Sequence, residues 1–266
     1  LIAVNRFARS FRTAALILKR RDFGEADRLL TILTPRHGKI AVLARGARKL
    51  TSVTTGHVEL FTRADMVIQL GRDLGHISQV EMTKAYLPLR EDLARGAYAS
   101  YVVELLDRFT AQDELPADGV IADADDSSRF FALLDETFQR VAHDPDPRLA
   151  VRYFELRLLD AVGFRPELTQ CVIAGEPIVA RDQFFSAQDG GAVCPEHAVR
   201  CRSVMPISMP ALKLLRHMQR SPYAAVSALQ IAPAIHEEVE RVLQGYLTYV
   251  LERRLQTIEF IQHLRR

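Results

Sequence analysis

The apolar positions of the chain change their period along its length. Over the first 85 residues they come in short runs: Ala14 to Leu18, Leu29 to Thr34, Lys39 to Ala44, Val58 to Phe61, Met66 to Leu70 and Ile77 to Ala85. Runs of that length bounded by turn formers predict strands. Pro35-Arg36-His37-Gly38 joins two of them as a four-residue hairpin turn, and Gly71-Arg72-Asp73 separates two others. Five or six short strands without a long helix predict a small barrel, and a five-stranded barrel of the OB type is the economical solution.

At Pro88 the period lengthens from two to about 3.6. Tyr98, Tyr101, Val102, Leu105, Leu106 and Phe109 follow steps of three and four, and Phe130, Phe131, Leu133, Leu134, Phe138 and Val141 repeat the pattern. Leu149, Tyr153, Leu156, Leu159 and Val162 continue the pattern, and Val239 to Leu251 form a last, longer stripe. Each stripe predicts one buried helix face. Asp113 to Ser128, between the first two, reads as a solvated acidic loop, and Asp144-Pro145-Asp146-Pro147 ends one helix and starts the next. Residues 166–207 show no helical period. The fold expected is α+β and multi-domain: an OB-fold β-barrel over 1–85, a mainly α-helical body over 86–165 and 208–266, and an inserted element over 166–207.

Composition narrows the classes. With 48% hydrophobic and 26% charged residues the chain is not a disordered one. No apolar run approaches the roughly 18 residues a spanning helix needs. Ala14 to Leu18 is flanked by charge and lacks a signal-cleavage pattern, so a cytoplasmic location is expected. The net charge of +2 hides a division: residues 1–85 hold 15 Lys/Arg against 7 Asp/Glu, a net of +8, which leaves −6 for the rest. A cationic module on an anionic body is the pattern of a protein that meets phosphate with one end.

The candidate contacts are Lys19, Arg20 and Arg21 after the first run, Arg36 and Lys39 about the hairpin turn, and Arg45, Arg48 and Lys49 after the third run. Charges at strand ends and loops gather on a rim or face of a barrel, where they can track a phosphate backbone while staying hydrated. Some could instead pair with Asp22, Glu25 or Asp27 as surface ion pairs. Aromatic platforms for bases are few: Phe7, Phe11, Phe23 and Phe61, with no tryptophan, so backbone electrostatics should dominate. Catalytic carriers are missing. No P-loop, zinc-deaminase signature or Gly-x-Ser-x-Gly elbow is present, and His37, His57 and His76 stand alone, as surface or turn histidines.

All three cysteines, Cys171, Cys194 and Cys201, lie in the aperiodic segment. Cys194-Pro195-Glu196-His197 has the paired spacing of zinc ligands, whereas Cys171-Val172-Ile173-Ala174 carries alanine where a second ligand belongs. A Cys171, Cys194, His197, Cys201 zinc site is chemically acceptable, and so is a metal-free cluster of buried thiols. A zinc-dependent hydrolase or nuclease would need a fuller ligand set and paired carboxylates.

Four blocks in order resemble one family. Ala15 to Thr31, with Lys19-Arg20-Arg21-Asp22-Phe23-Gly24-Glu25-Ala26-Asp27-Arg28, continues into Thr34-Pro35-Arg36-His37-Gly38-Lys39-Ile40 and Ala44-Arg45-Gly46-Ala47-Arg48-Lys49. Ala97 to Asp107, then Glu155 to Leu168 through Gly163-Phe164-Arg165-Pro166, and Phe185-Ser186 with Gly190-Gly191-Ala192-Val193-Cys194 complete the match. The sequence is similar to the RecO family of bacterial recombination mediators. The resemblance implies an OB-fold N-terminal domain, a helical body and an inserted zinc-finger-like element. It also implies a nucleoid-associated, non-enzymatic protein that binds single- and double-stranded DNA and anneals complementary strands. The implied protein partners are the single-stranded-DNA-binding protein SSB through its C-terminal tail, RecR, and indirectly RecA, which it helps load. The family's four zinc ligands would fall at 171, 174, 194 and 197; Ala174 and His197 stand there, and Cys201 is a candidate substitute. If the body grips the acidic, apolar-ended SSB tail, a local basic pocket is needed, with Arg152, Arg157 or Arg253-Arg254 as candidates.

Overall fold

The computed structural model describes residues 10–49, 55–71, 74–111 and 124–264, and side chains as far as residue 252. The chain has a sheet-rich N-terminal part and a helical remainder, an α+β layout. Five strands, β1 (Ser10–Phe23), β2 (Asp27–Thr34), β3 (Gly38–Ala44), β4 (Arg63–Gln69) and β5 (Gly75–Lys84), close into a barrel in the order β1-β2-β3-β5-β4. β1 closes it, pairing with β4 from Ser10 to Leu16 and with β2 from Leu16 to Phe23. Its register shifts between Ile17 and Lys19. There the Ile17 amide donates to the Thr62 carbonyl and the Phe61 amide to that of Ile17, both at 3.0 Å. This bulge lets one strand turn between two partners. The interior is filled by Ala15, Ile17, Leu30, Ile32, Ile40, Val42, Met66 and Ile68, none more than 1% exposed.

Two strand expectations change. β1 runs five residues past its apolar run, because the ladder to β2, and not apolar alternation, carries Lys19 to Phe23. Val58 to Phe61 is not a strand: it follows a single 3-10 turn, Thr55–His57, and reverses direction at Phe61, whose φ is +59°. His37 lies in the β2–β3 turn, as a turn histidine, but it is not at the surface. Only 8% exposed, it stacks on Phe11 with ring centroids 3.9 Å apart.

The first of two compact units extends to Pro147. It adds α1 (Pro88–Glu91), α2 (Leu93–Phe109) and α3 (Ala124–His143) to the barrel. Asp92 caps α2, accepting from the amides of Ala94 at 2.9 Å and Arg95 at 3.0 Å. α3 begins inside the segment expected to be a loop. Asp125 and Asp126 occupy its first turn, where carboxylates favour the positive helix end, while Asp113, Asp118 and Asp123 lie outside the described residues. Asp135 on α3 receives Arg63 at 2.9 Å, Lys84 at 3.0 Å and the Tyr86 hydroxyl. Burial, reinforced by that carboxylate, raises the Tyr86 phenol, which stays protonated as a donor.

The second unit, from Arg148, contains α4 (Pro147–Ala161, its first residue being the last of the preceding unit), β6 (Gln183–Ser186), β7 (Gly191–Val193), β8 (Met205–Ile207), α5 (Met209–Arg220), α6 (Tyr223–Ser227) and α7 (Pro233–Leu264). The three strands form a sheet in the order β7-β6-β8. The Tyr246 hydroxyl on α7 donates to the Phe164 carbonyl at 3.1 Å, and its ring packs edge-on to Phe185 of β6. Arg216 and Gln219 of α5 donate to the carbonyls of Leu168 and Pro166, at 2.6 and 2.9 Å, anchoring the start of the aperiodic segment.

Candidate nucleic-acid interface and cysteine cluster

The barrel sorts its basic residues into three groups. The first gathers where β1 ends, β2 begins and β3 ends. Gly24, at φ +59°, turns β1 into β2, and the loop after β3 folds back against that turn. The Gly46 amide donates to Asp27 Oδ1 at 2.7 Å and the Arg48 amide to the Ala26 carbonyl at 2.9 Å. Arg48 also reaches the Gly24 carbonyl at 3.2 Å and Asp22 at 3.4 Å. The backbone therefore holds Arg21, Arg45, Arg48 and Lys49, all exposed, at one end of the barrel. The register carries a row across the outer surface there: Arg21 opposite Leu29, Leu29 opposite Leu43, and Leu43 beside His76. Partial burial, with the nearby Arg45 guanidinium, lowers the pKa of His76 and keeps it neutral near pH 7.

A second group is neutralised within the fold. Lys39 is 4% exposed, and its ammonium donates to Asp107 Oδ1 at 2.9 Å and to the carbonyls of Asp107 and Thr110 at 2.9 and 2.7 Å. All three of its protons are used, so Lys39 cannot present its charge to a ligand. Lys19 reaches the same carboxylate at 2.5 Å. Burial works to raise the Asp107 acid, but the two lysines outweigh it and lower the pKa. Arg20 pairs with Glu59, which also meets Arg28 at 3.4 Å. The third group is Arg36 alone, exposed on the β2–β3 turn at the opposite end of β2 and β3 from the first group. Among the described residues, the side chains of Arg21, Arg36, Arg45 and Lys49 make no ion pair or side-chain hydrogen bond. Sequence reasoning missed Asp107 and Glu59. Of the local acids it named, Asp22 pairs with Arg48 and Asp27 is used as an acceptor for a backbone amide.

Of the four aromatic candidates, Phe7 lies outside the described residues, Phe11 is stacked on His37, and Phe61 is buried against Phe138. Phe23 remains exposed at 48%.

In the second unit, two turns bring Cys171, Cys194 and His197 together. The Gly175 amide, at φ +74°, donates to the Cys171 carbonyl at 2.7 Å, and the His197 amide to that of Cys194 at 2.9 Å. Val172 ties the first turn to Ala192 of β7 at 3.0 Å. His197 Nδ1 lies 3.8 Å from Cys171 Sγ and 3.5 Å from Cys194 Sγ, and the three donor atoms lie within 4.8 Å of one another. Burial pushes the Cys171 thiol up, yet the amides of Cys194, Ile173 and Ala174 donating to its sulfur bring it down to about 7. Burial, followed by the neighbouring Cys171, pushes Cys194 up to about 11. Two sulfurs and an imidazole nitrogen are a suitable donor set for a metal such as zinc. Ala174 contributes only its amide. Cys201, expected as a fourth ligand, is outside the three-donor set although it packs against Cys171 and Cys194; burial, followed by the Asp189 carboxylate, raises its pKa.

The expected tail-binding arginines are occupied. Arg152 is 4% exposed and pairs with buried Glu155 at 3.2 Å and with Glu240 at 3.5 Å. Arg157 donates to the Tyr153 hydroxyl and the Ser221 carbonyl, both at 2.8 Å. The side chains of Arg253 and Arg254 lie outside the described residues.

Comparison with known proteins covers most of the chain. The family model Recombination protein O N terminal matches residues 9–86, and Recombination protein O C terminal matches residues 90–258. A DNA repair protein RecO of Roseiflexus sp. (strain RS-1) is 38% identical over 257 residues, 97% of this chain and 87% of its own length. Another, of Pelotomaculum thermopropionicum, is 33% identical over 94% of this chain and 93% of its own. One of Dehalococcoides mccartyi is 30% identical over 96% of both.

Proposed function

The chain belongs to the RecO family, a family of DNA repair and recombination, and on that premise we propose that it is a non-enzymatic mediator whose barrel, of the OB type, binds single- and double-stranded DNA and anneals complementary strands. One observation carries the reading. Arg21, Arg45 and Lys49 are exposed without counter-ions among the described residues at one end of the barrel, with Arg48 held beside them by an exposed and therefore weak pair to Asp22. These four are the proposed DNA contacts. Lys19 and Arg20 are secondary, Arg36 is separate, and Lys39 leaves the set. Annealing asks only that two repelling phosphate chains be neutralised and held close, so no bond is made and no catalytic residue is required. With RecR, the protein would help load RecA on SSB-coated strands. The test is annealing of complementary oligonucleotides by Arg45→Glu/Lys49→Glu protein. Loss of annealing supports the reading; a wild-type rate overturns it.

A groove supports the SSB tail as partner of the second unit. It lies between α5 and the α6–α7 connection, encloses about 430 Å³, and is walled by Pro210, Leu214, Leu229, Ile231 and Ile235. Lys213 and His217 border it, and His217 Nε2 is buried with no hydrogen-bond partner among the described residues. An acidic peptide ending in an apolar residue and a carboxylate would fill the walls and satisfy both polar groups. The segment 166–207 is proposed as a zinc-finger-like element in which Cys171, Cys194 and His197 hold the metal; the ion would there be a structural cross-link between two turns.

A further inference from the structure

We propose that Phe23 is the residue through which the barrel stacks on an unpaired base, so that the basic end of the barrel reads single strands by base contact as well as by charge. The inference rests on the DNA-binding reading above and names the ligand class of that same site. Among the described residues Phe23 is the one aromatic side chain left about half in solvent, 48% exposed. A buried partner would be the ordinary fate of a phenylalanine, and this molecule supplies one for Phe11, Phe61 and Phe138 alike. Phe23 instead ends β1, opposite Asp27, next to the turn at Gly24.

Its position is held firmly. The turn that follows it is latched to the loop after β3 by the contacts of Arg48 with Gly24, Ala26 and Asp22, and by Gly46 with Asp27. Side chains two apart on a strand share a face, so Phe23 stands beside Arg21 on the outer surface of the sheet. That row continues through half-buried Leu29 and Leu43 to His76, with Arg45 close by. An aromatic ring fixed among cations has the two elements of single-strand recognition, a platform for a base face and charge for the phosphates on either side. A duplex offers the ring no unstacked base. The contact therefore discriminates single from double strands, which uniform electrostatics does not.

The experiment uses the full-length protein with three probes of equal length: oligo-dT, an abasic oligodeoxyribonucleotide that keeps the phosphates without bases, and a duplex. Phe23→Ala should weaken oligo-dT binding by about five- to a hundred-fold, the range for losing one base stack, and leave abasic and duplex binding unchanged. Phe23→Tyr should restore it. Because the chain has no tryptophan, Phe23→Trp adds a single reporter, whose fluorescence should be quenched by oligo-dT and not by the abasic strand. Oligo-dT binding by Phe23→Ala equal to wild type, or quenching by both strands alike, would overturn the stacking role while leaving the electrostatic site intact. Absence of binding to any probe by the wild-type protein would overturn both. Equal losses on all three probes would assign Phe23 to the architecture of the turn and overturn its base contact.

Discussion

Lys19 and Lys39 show how far a single side chain's role depends on what reaches it. Both stand in basic blocks and both read as phosphate contacts, yet Asp107, 88 and 68 residues further on, takes both ammonium groups. Nothing local announces this; the one signal in the sequence is an acid flanking the buried stripe of Leu105 and Leu106. Replacing Asp107 by alanine would strand the Lys39 ammonium in a site where its side chain is 5% exposed. Breaking a buried pair from one side costs about 3 kcal/mol, so urea unfolding of Asp107→Ala should show a loss of that order, whereas Lys39→Met should leave DNA affinity at the wild-type level. A loss of DNA affinity in Lys39→Met protein would return Lys39 to the binding face. Because Asp107 has a lowered pKa in the fold, its contribution is complete above its unfolded value of about 3.9 and fades as pH falls through the lower folded value. The Asp107→Asn protein should therefore lack part of the acid limb of the wild-type stability curve below about pH 4. The cysteines teach the same lesson. Spacing exposes the Cys194-His197 pair and the missing ligand at Ala174, but that Cys201 packs against the cluster while its sulfur falls outside the donor set shows only in the fold. Elemental analysis should find zinc retained by Cys201→Ser protein and lost from Cys171→Ser and Cys194→Ser; zinc lost equally from all three would restore the four-ligand set.

At the scale of elements, the parts held by regular apolar periodicity were legible. β2, β3 and the helical stripes that became α2, α4 and α7 lie where the period placed them, because burying an apolar stripe fixes both type and phase, although α4 is buried nearly all round. Segments held by backbone pairing or by charge were not. The outer half of β1 carries Lys19, Arg20, Arg21 and Asp22, which no hydrophobic rule assigns to a strand, and its ladder to β2 makes it one. Val58 to Phe61 has the composition of a strand, but Val58 packs into the barrel core, Glu59 pairs with Arg20 and Arg28, and the chain turns at Phe61 instead of joining a ladder. The candidate interface depends on this same kind of element, a turn and a loop fastened by backbone bonds. Because Arg45 and Lys49 sit on the loop and not in the barrel wall, reversing them leaves the core untouched. For every phosphate of a single strand that a protein ceases to neutralise, the slope of log affinity against log salt becomes shallower by about 0.7. The Arg45→Glu/Lys49→Glu protein should thus show a slope shallower by at least about 1.4, with unchanged thermal stability. An unaltered slope would move the phosphate path to another face.

For the whole molecule, the +8 of residues 1–85 acquires a functional sense when the barrel and the groove of the second unit are given different partners. A mediator must hold a phosphate chain and also recognise the protein already coating it, and a single strongly basic surface would serve the first need while attracting both indiscriminately. The negative balance falls in residues 86–147, with 5 Lys/Arg against 14 Asp/Glu, whereas residues 148–266, which hold the groove, carry 15 against 12. Selectivity there must come from the apolar walls, since a peptide with a matching apolar end gains a contact that a bare phosphate chain does not. Lys213 is the exposed cation of that groove, and it lies in the second unit while Arg45 and Lys49 lie in the first. The two functions should therefore separate by mutation. Lys213→Glu protein should anneal naked complementary strands at the wild-type rate and bind a synthetic SSB-tail peptide at least about tenfold more weakly, a loss of about 1.4 kcal/mol or more. On SSB-coated strands the same protein should anneal slowly, because the coat is then an obstacle without a handle. Arg45→Glu/Lys49→Glu protein should keep the peptide and lose annealing on both substrates. If Lys213→Glu slowed annealing of naked strands to the same degree as coated ones, the groove would belong to the DNA path and the division of labour between barrel and groove would fail.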